Sequence, residues 1–359
     1  MNFKINNMVR TPGSLYFLRE RDFLSGNISP YVKIGLVRND KKTASRIAEH
    51  QTGNPREIMD FQTIAVPFVE ELETRLHYLY GTRWIAGEWF LLHEAELKEV
   101  ITVAKQYVKR QEKLKQAYVK LDEFEQIPSN GLLKVPDRKD IEIWRALKRN
   151  KEQLIQVDAQ AKFFDLQLRL AMGNYRGIEG VISTQIKTIA ASFDKSAFLA
   201  ADNTHPNLLS AYNELKQGGL ASQWGIKQIS KLQELDPELA ERIKSLPKPK
   251  LDAKDMKKKA LKRQPQHEEW HEQLILASAQ KAQIEWDLIE LETALKLRVA
   301  DCDGITDLCS WTRTIKEDRF EPNLAAFKQA HLDLVMRFQK PESNAVSLLI
   351  HPHRSYPLR

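Results

Sequence analysis

SLYFLRE at residues 14–20 and YVKIGLV at 31–37, separated by the turn-forming SGNISP, decide the architecture of the first third of this chain. Each run is short, rich in aromatic and β-branched residues, and read as a strand, so the pair predicts a β-hairpin with a long loop. TASRIAEHQ (43–51) predicts a short helix with Thr43 as its N-cap, stopped by TGNP at 52–55. IMDFQTIAV (58–66) predicts a third strand. VEELETRLHYLYG (69–81) sets Leu72, Leu76 and Leu79 on one helical face. GEWFLL (87–92) reads as a short apolar end piece before a further helix. The expected fold class is α+β. A small three-stranded sheet domain with flanking helices spans residues 1–105, and a mostly helical tail follows.

The polar residues of this unit are more than a scaffold needs. Arg46 and His50 lie four apart and share one helix face, as do Glu73 and His77 on the next helix. Tyr16 and Lys33 come from the strands. An arginine, a carboxylate, two histidines, a tyrosine and a lysine together suit phosphodiester cleavage. A carboxylate holds a hard cation by oxygen, a cationic fork stabilises the pentacovalent phosphate, and a general base takes a proton from water. Each residue also has an ordinary structural role. Tyr16 alone is a half-buried strand tyrosine, Glu73 alone a solvated helix glutamate, and His77 a hydrogen-bonded core histidine.

The ordered set S-L-Y, K-I-G, R-x-x-x-H, L-E-x-x-L-H and G-E-W-F resembles the GIY-YIG nuclease superfamily. It is closest to the variant clade of phage and bacterial proteins that carries K-I-G, a T-G-N-P turn and a closing G-E-W-F. The resemblance covers about the first 95 residues. It implies a nuclease that uses one divalent cation, Mg²⁺ or Mn²⁺, with Glu73 as the metal ligand and Arg46 on the phosphate. Tyr16 matches the tyrosine beside the attacking water, and His50 a histidine that relays a proton. Gly35 matches the second motif's glycine. Lys33 stands where that motif has tyrosine, which leaves the base open between Tyr16 and Lys33. Ser14 replaces the first motif's glycine. The asparagine common near the end of the domain is absent, and Glu88 or Trp89 lies there instead.

Of the 359 residues, 42% are apolar and 29% charged, so large cores are expected and disorder is not. The net charge of +7 is concentrated in residues 247–266, where eight Lys or Arg face two Asp. Lys257, Lys258, Lys259, Lys262 and Arg263 of this run, with His77, are candidate contacts to a nucleic-acid substrate. A solvated linker is the equal alternative. Cys302 and Cys309 are too few for a disulfide framework. The N-terminus lacks the apolar core of a signal peptide, and no run approaches the roughly 20 apolar residues that span a bilayer. The chain reads as cytoplasmic, with no membrane partner.

The tail contains an internal repeat. LRLAMGNYRGIEGVIS (168–183) aligns with LKLRVADCDGITDLCS (295–310). The register carries Phe193 onto Phe320 and, after a one-residue slip, His205 onto His331. The expected organisation is a helix and linker over 106–140, a first helix-hairpin-helix module over 141–246, the basic linker over 247–266 and a second module over 267–359. S-W-T at 310–312 and H-P-N-L at 205–208 resemble the C-terminal appendage of lambda-exonuclease-like recombination nucleases. That resemblance implies a module for binding DNA or a partner. HEEWH at 267–271 matches H-E-x-x-H formally, but Glu290 and Glu292 lie about 30 Å further along the same helix. Both histidines are therefore expected as surface residues of a first helical turn.

The sequence thus points to a metal-dependent DNA endonuclease, with RNA the other substrate its chemistry would accept. The resemblance places it in a phage, prophage or anti-phage defence context. The tail is expected to position substrate or to join copies into a homo-oligomer through its apolar helix stripes. The alternative is a non-catalytic DNA- or protein-binding module on a degenerate nuclease fold.

Overall fold

Apolar side chains on both faces of the first strands require a covered sheet, and helices supply the cover. In a computed structural model that describes residues 11–38, 43–249, 256–257 and 259–351, β1 (Gly13–Arg21) pairs antiparallel with β2 (Ile28–Arg38). After α1 (Thr43–Gln51), β3 (Glu57–Val66) lies along the other edge of β1. Then follow α2 (Val69–Leu79), β4 (Trp84–Ala86), β5 (Trp89–Leu91) and α3 (Glu94–Glu125). The fold is α+β, but the sheet has five strands in the order β3-β1-β2-β5-β4 rather than the expected three. β4 and β5 are three residues each, too short to show a periodicity, and the pairing of β5 with β2 and of β4 with β5 is what makes them strands.

Leu15, Phe17, Val32, Ile34 and Val66 bury against Val69, Leu72 and Leu76 of α2 and Leu97 and Val100 of α3. Each fully buried side chain of this kind contributes about 1.5–3 kcal/mol. Tyr16, Leu18, Val37 and Ile58 form a smaller cluster, with Ile47 of α1 against it.

The C-terminal part opens with α4 (Arg138–Met172), β6 (Gly177–Ile178), β7 (Ile182–Ile189), β8 (Ser192–Phe193), α5 (Lys195–Ala201), α6 (His205–Ser210), β9 (Asn213–Lys216), β10 (Leu220–Ile226), α7 (Leu232–Leu235) and α8 (Pro237–Ser245). It continues with α9 (Pro265–Val299), β11 (Gly304–Ile305), β12 (Cys309–Ile315), β13 (Arg319–Pro322), α10 (Leu324–Ala330), α11 (Leu332–Arg337), β14 (Gln339–Lys340) and β15 (Ser343–Ile350). The starts of α4 and α9, Arg138 and Pro265, are 127 positions apart, and so are their ends, Met172 and Val299. No helix among the described residues is long and apolar enough to cross a membrane.

The two halves fold alike but not as two closed helix-hairpin-helix modules, because their strands are exchanged. The hairpin β6–β7 takes its third strand, β15, from the end of the second half. The hairpin β11–β12 takes β10 from the end of the first. β9 pairs with β13, and β8 with β14, in the same reciprocal way. α4 and α9 run antiparallel, tied by Lys151–Glu292 (2.7 Å) and Lys281–Asp158. The apolar faces that suggested a homo-oligomer meet each other within the chain.

The exchange reaches the segments before each long helix. Lys134 donates from its backbone N to the carbonyl of Gly304 (3.0 Å), and Leu261 does the same to Gly177 (2.8 Å). Lys257, Lys259 and Leu261 are therefore not parts of a free linker, since each is hydrogen-bonded through its backbone to the first half. Gly177 and Gly304 have φ of 147° and 149°, and a Cβ there would meet the carbonyl oxygens of Ile182 and Cys309 at 2.2 and 2.4 Å. Only glycine fits both backbones.

Equivalent positions differ in chemistry. Asp140 is fully buried and accepts from Lys134 (2.6 Å) and Arg298. The counterparts 127 positions away are His267, Leu261 and Ala171, so this set of charges is present at one end only. His267 instead caps its helix by accepting from Gln264 N at 3.2 Å. His271 is 0% exposed, with Nε2 2.7 Å from the His351 carbonyl. Both histidines of HEEWH are thus buried and structural, contrary to the surface placement expected, because the end of the second half folds back over this turn.

Arg313 is 1% exposed and donates to the carbonyls of Phe124, Ala300, Asp301 and Cys302 at 2.7–3.3 Å. It joins the ends of α3 and α9. Arg313→Met would strand these acceptors, and a loss of roughly 3–5 kcal/mol in chemical denaturation is expected. Its counterpart Ile186 is exposed, and Ile186→Met should change stability by less than about 0.5 kcal/mol. The strand exchange has its own signature. A chain ended at residue 341 should lose amide-exchange protection in β7 of the first half while β12 of the second half stays protected. The reverse pattern would contradict the exchanged pairing.

Candidate active site

Register builds the site. β1 and β2 pair Tyr16 with Gly35 and Leu18 with Lys33, so Tyr16 and Lys33 lie on the same face of adjacent strands. A Cβ on Gly35 would stand 2.5 Å from the Tyr16 hydroxyl and 2.6–2.7 Å from its ring. Glycine is what lets the ring cross β2, which gives the second motif's glycine its physical reason. The Tyr16 hydroxyl lies 3.3 Å from Nε2 of His50 on α1. Arg46, one turn earlier, is near enough for its positive charge to act on the Tyr16 hydroxyl, and it is ion-paired with Glu49.

Lys33 is 8% exposed, and its Nζ lies 2.7 Å from Oε2 of Glu88. Glu73 on α2 is half-buried and feels both Glu88 and Lys33. Burial first, then the charge of Glu88, pushes the Glu73 carboxyl up to about 8. The same two causes push the Tyr16 hydroxyl up to about 12. The His50 imidazole is lowered by burial, then by Lys33 and Arg46. At neutral pH the site therefore holds a protonated tyrosine beside a neutral histidine.

Burial and the charge of Glu88 both disfavour Glu73 as an anion, and a hard divalent cation on its carboxylate oxygens would relieve that. The residues present fit such an ion. Among the described residues no three His, Cys, Asp or Glu side chains come together as a ready-made metal cage.

Tyr16 is thus within electrostatic reach of Arg46 and Glu73, His50 of Lys33 and Arg46, and Glu73 of Lys33. The other sequence candidates are placed differently. His77 donates from Nε2 to the Ile34 carbonyl (2.9 Å) and packs on Phe90. Burial lowers its basicity. Lys257 lies over the Tyr175 ring at 3.8 Å, Lys259 accepts from Arg176 N through its carbonyl, and Arg263 pairs with Glu268 at 2.7 Å. Lys262 is exposed. These contacts belong to the C-terminal halves, not to the N-terminal sheet. Lys258 lies outside the described residues. Glu88 is the residue that sequence reasoning passed over. It was noticed only as the occupant of an asparagine's place, and its signal was the Gly-Glu pair between two very short apolar runs.

The raised carboxyls make stability depend on pH. A group whose folded pKa, about 8, exceeds its unfolded value of 4.5 stabilises the fold below that value and loses the contribution as pH rises through 8. Buried Glu71, pushed up to about 7, acts in the same direction but is spent earlier. The melting temperature of metal-free protein should therefore keep falling between pH 7 and 8, and Glu73→Gln should remove most of that last fall. Equal slopes for both proteins would refute the assignment.

No curated protein and no solved structure matches the chain. Residues 13–105, from β1 into α3, match the T5orf172 domain, a phage-associated domain found in GIY-YIG- and HNH-like nuclease contexts.

Proposed function

We propose that the N-terminal body is a metal-dependent endonuclease of the GIY-YIG type that hydrolyses DNA. The reading is carried by one observation. Tyr16 lies across Gly35 with its hydroxyl 3.3 Å from His50, within electrostatic range of Arg46, Glu73 and Glu88. A fold kept only for binding has no need of a glycine shaped to a tyrosine ring, nor of a carboxylate held at about 8.

Glu73 would hold Mg²⁺ or Mn²⁺ through its carboxylate oxygens. A divalent cation supplies polarisation of the phosphate and stabilisation of the leaving oxygen. Arg46 presents a guanidinium to the phosphate oxygens. His50, kept neutral by burial and two nearby cations, accepts a proton. The Tyr16 hydroxyl keeps its own proton at neutral pH, so it orients the attacking water and passes a proton towards His50 rather than serving as a standing phenolate. Lys33, ion-paired with Glu88, serves as an oriented cation. The basic 257–263 segment and the exchanged halves would present or hold the nucleic acid. The T5orf172 match fits a phage-related setting.

The test is cleavage of labelled single- and double-stranded DNA with Mg²⁺ or Mn²⁺. Glu73→Ala should abolish cutting, and Arg46→Ala should slow it about 10²–10³-fold, as removal of one transition-state donor does elsewhere. Tight binding by the wild type without cutting of either substrate would favour a non-catalytic binding domain.

A further inference from the structure

Glu88 sits at the tip of the β4–β5 hairpin, and the backbone on both sides of it is fixed. Gly87 adopts φ 57°, and its carbonyl accepts from the Trp84 indole N–H at 2.7 Å. Ile34 N donates to the Glu88 carbonyl at 3.0 Å, and the next residue, Trp89, pairs with Lys33 across β2 and β5. A turn held this tightly delivers one carboxylate to one place. That place is the Lys33 ammonium, whose side chain is 10% exposed while that of Glu88 is 39% exposed. A cation so nearly buried needs a counter-charge, and without it would reorient towards water. The glutamate therefore decides where the ammonium points. Lys33 lies on the Tyr16–Gly35 face, and the Glu88 carboxylate meets its ammonium there.

We propose that Glu88 is a positioning residue for phosphodiester cleavage, acting through the Lys33 ammonium that it holds in the site. The inference rests on the nuclease reading. Lys33 takes the place of a tyrosine, and a lysine on a four-carbon stem is a mobile point charge unless something directs it. Glu88 supplies the direction. As the phosphate enters, the ammonium is already aimed and loses little freedom on meeting it. Its contribution therefore falls on the rate of cleavage more than on affinity.

The experiment is single-turnover cleavage of a labelled duplex and of the matching single strand by the full chain with Mg²⁺. The proteins are wild type, Glu88→Gln, Glu88→Asp, Lys33→Met and the Lys33→Met/Glu88→Gln pair, each also measured for DNA affinity. Glu88→Gln should lower the cleavage rate constant about ten- to a hundred-fold, in line with small misplacements of an active-site group. Its dissociation constant should stay the same or tighten, because a positive charge is left uncompensated. Glu88→Asp should recover part of the loss. The double variant should be no slower than Lys33→Met alone, within about two-fold, because one residue acts through the other. The melting-temperature loss of Glu88→Gln should also vanish when Lys33 is already methionine. Multiplicative losses in the double variant, or a Glu88→Gln protein that cuts like wild type, would overturn the inference and leave the nuclease standing. A wild type that cuts neither substrate would overturn both.

Discussion

α9 is the element on which the rest of the molecule depends. Along one face it packs antiparallel on α4 and closes the larger C-terminal core with Ile284, Leu288 and Leu295. At its middle it meets the N-terminal body. Arg75 of α2 is 3% exposed, its guanidinium 3.7 Å from the Tyr107 ring of α3 and 4.7 Å from the Trp286 ring of α9. Asp287 lies 3.8 Å from the same guanidinium. Tyr107 donates to Gln283 at 3.2 Å. A cation stacked between two aromatic faces and kept from water is a strong directional contact. It fastens the helix that carries Glu73, whose side chain serves the other side of α2.

The internal duplication has a physical logic of its own. A hairpin of two short strands is marginal in water and needs a third strand or a helix. Each half provides the third strand for the other, so neither hairpin is completed by its own sequence neighbours. The antiparallel pairing of α4 and α9 brings the two hairpins to opposite ends of the helix pair, within reach of the other half's last strand. Once the halves are locked in this way, their chemistry can diverge. One end keeps the buried Asp140 between Lys134 and Arg298, and the other replaces that set with His267, Leu261 and Ala171. Arg313 has no counterpart at Ile186. The shared geometry is carried by the paired glycines and the helix lengths, not by the polar contacts.

In the N-terminal body the proposed chemistry and the fold use opposite sides of the same strands. Leu15 and Phe17 belong to the core while Tyr16 between them reaches the site, as strand alternation requires. One β-residue slip between β1 and β2 would bury the polar set and expose the core, so the register that stabilises the sheet is the register that assembles the site. Glu88 shows the limit of motif reading. Its position in a two-residue turn looks like loop chemistry until the turn is seen to lie against Lys33.

The sequence by itself determined the periodic elements: β1, β2 and β3, the amphipathic α2, the long helices, and the duplication with its 127-residue spacing. It also pointed to Tyr16, Lys33, Arg46, His50 and Glu73, because spacings of four on helices and alternation on strands are local rules that need no partner. Tertiary structure alone decided what depends on segments far apart in the chain. It made strands of the three-residue β4 and β5, exchanged β10 and β15 between the halves, and buried His267 and His271 beneath the end of the second half. It also paired Lys257, Lys259 and Leu261 with the backbone of the first half and set Glu88 on Lys33. Each of these rests on a hydrogen bond or burial between residues that no periodicity relates, so only the folded chain brings them together.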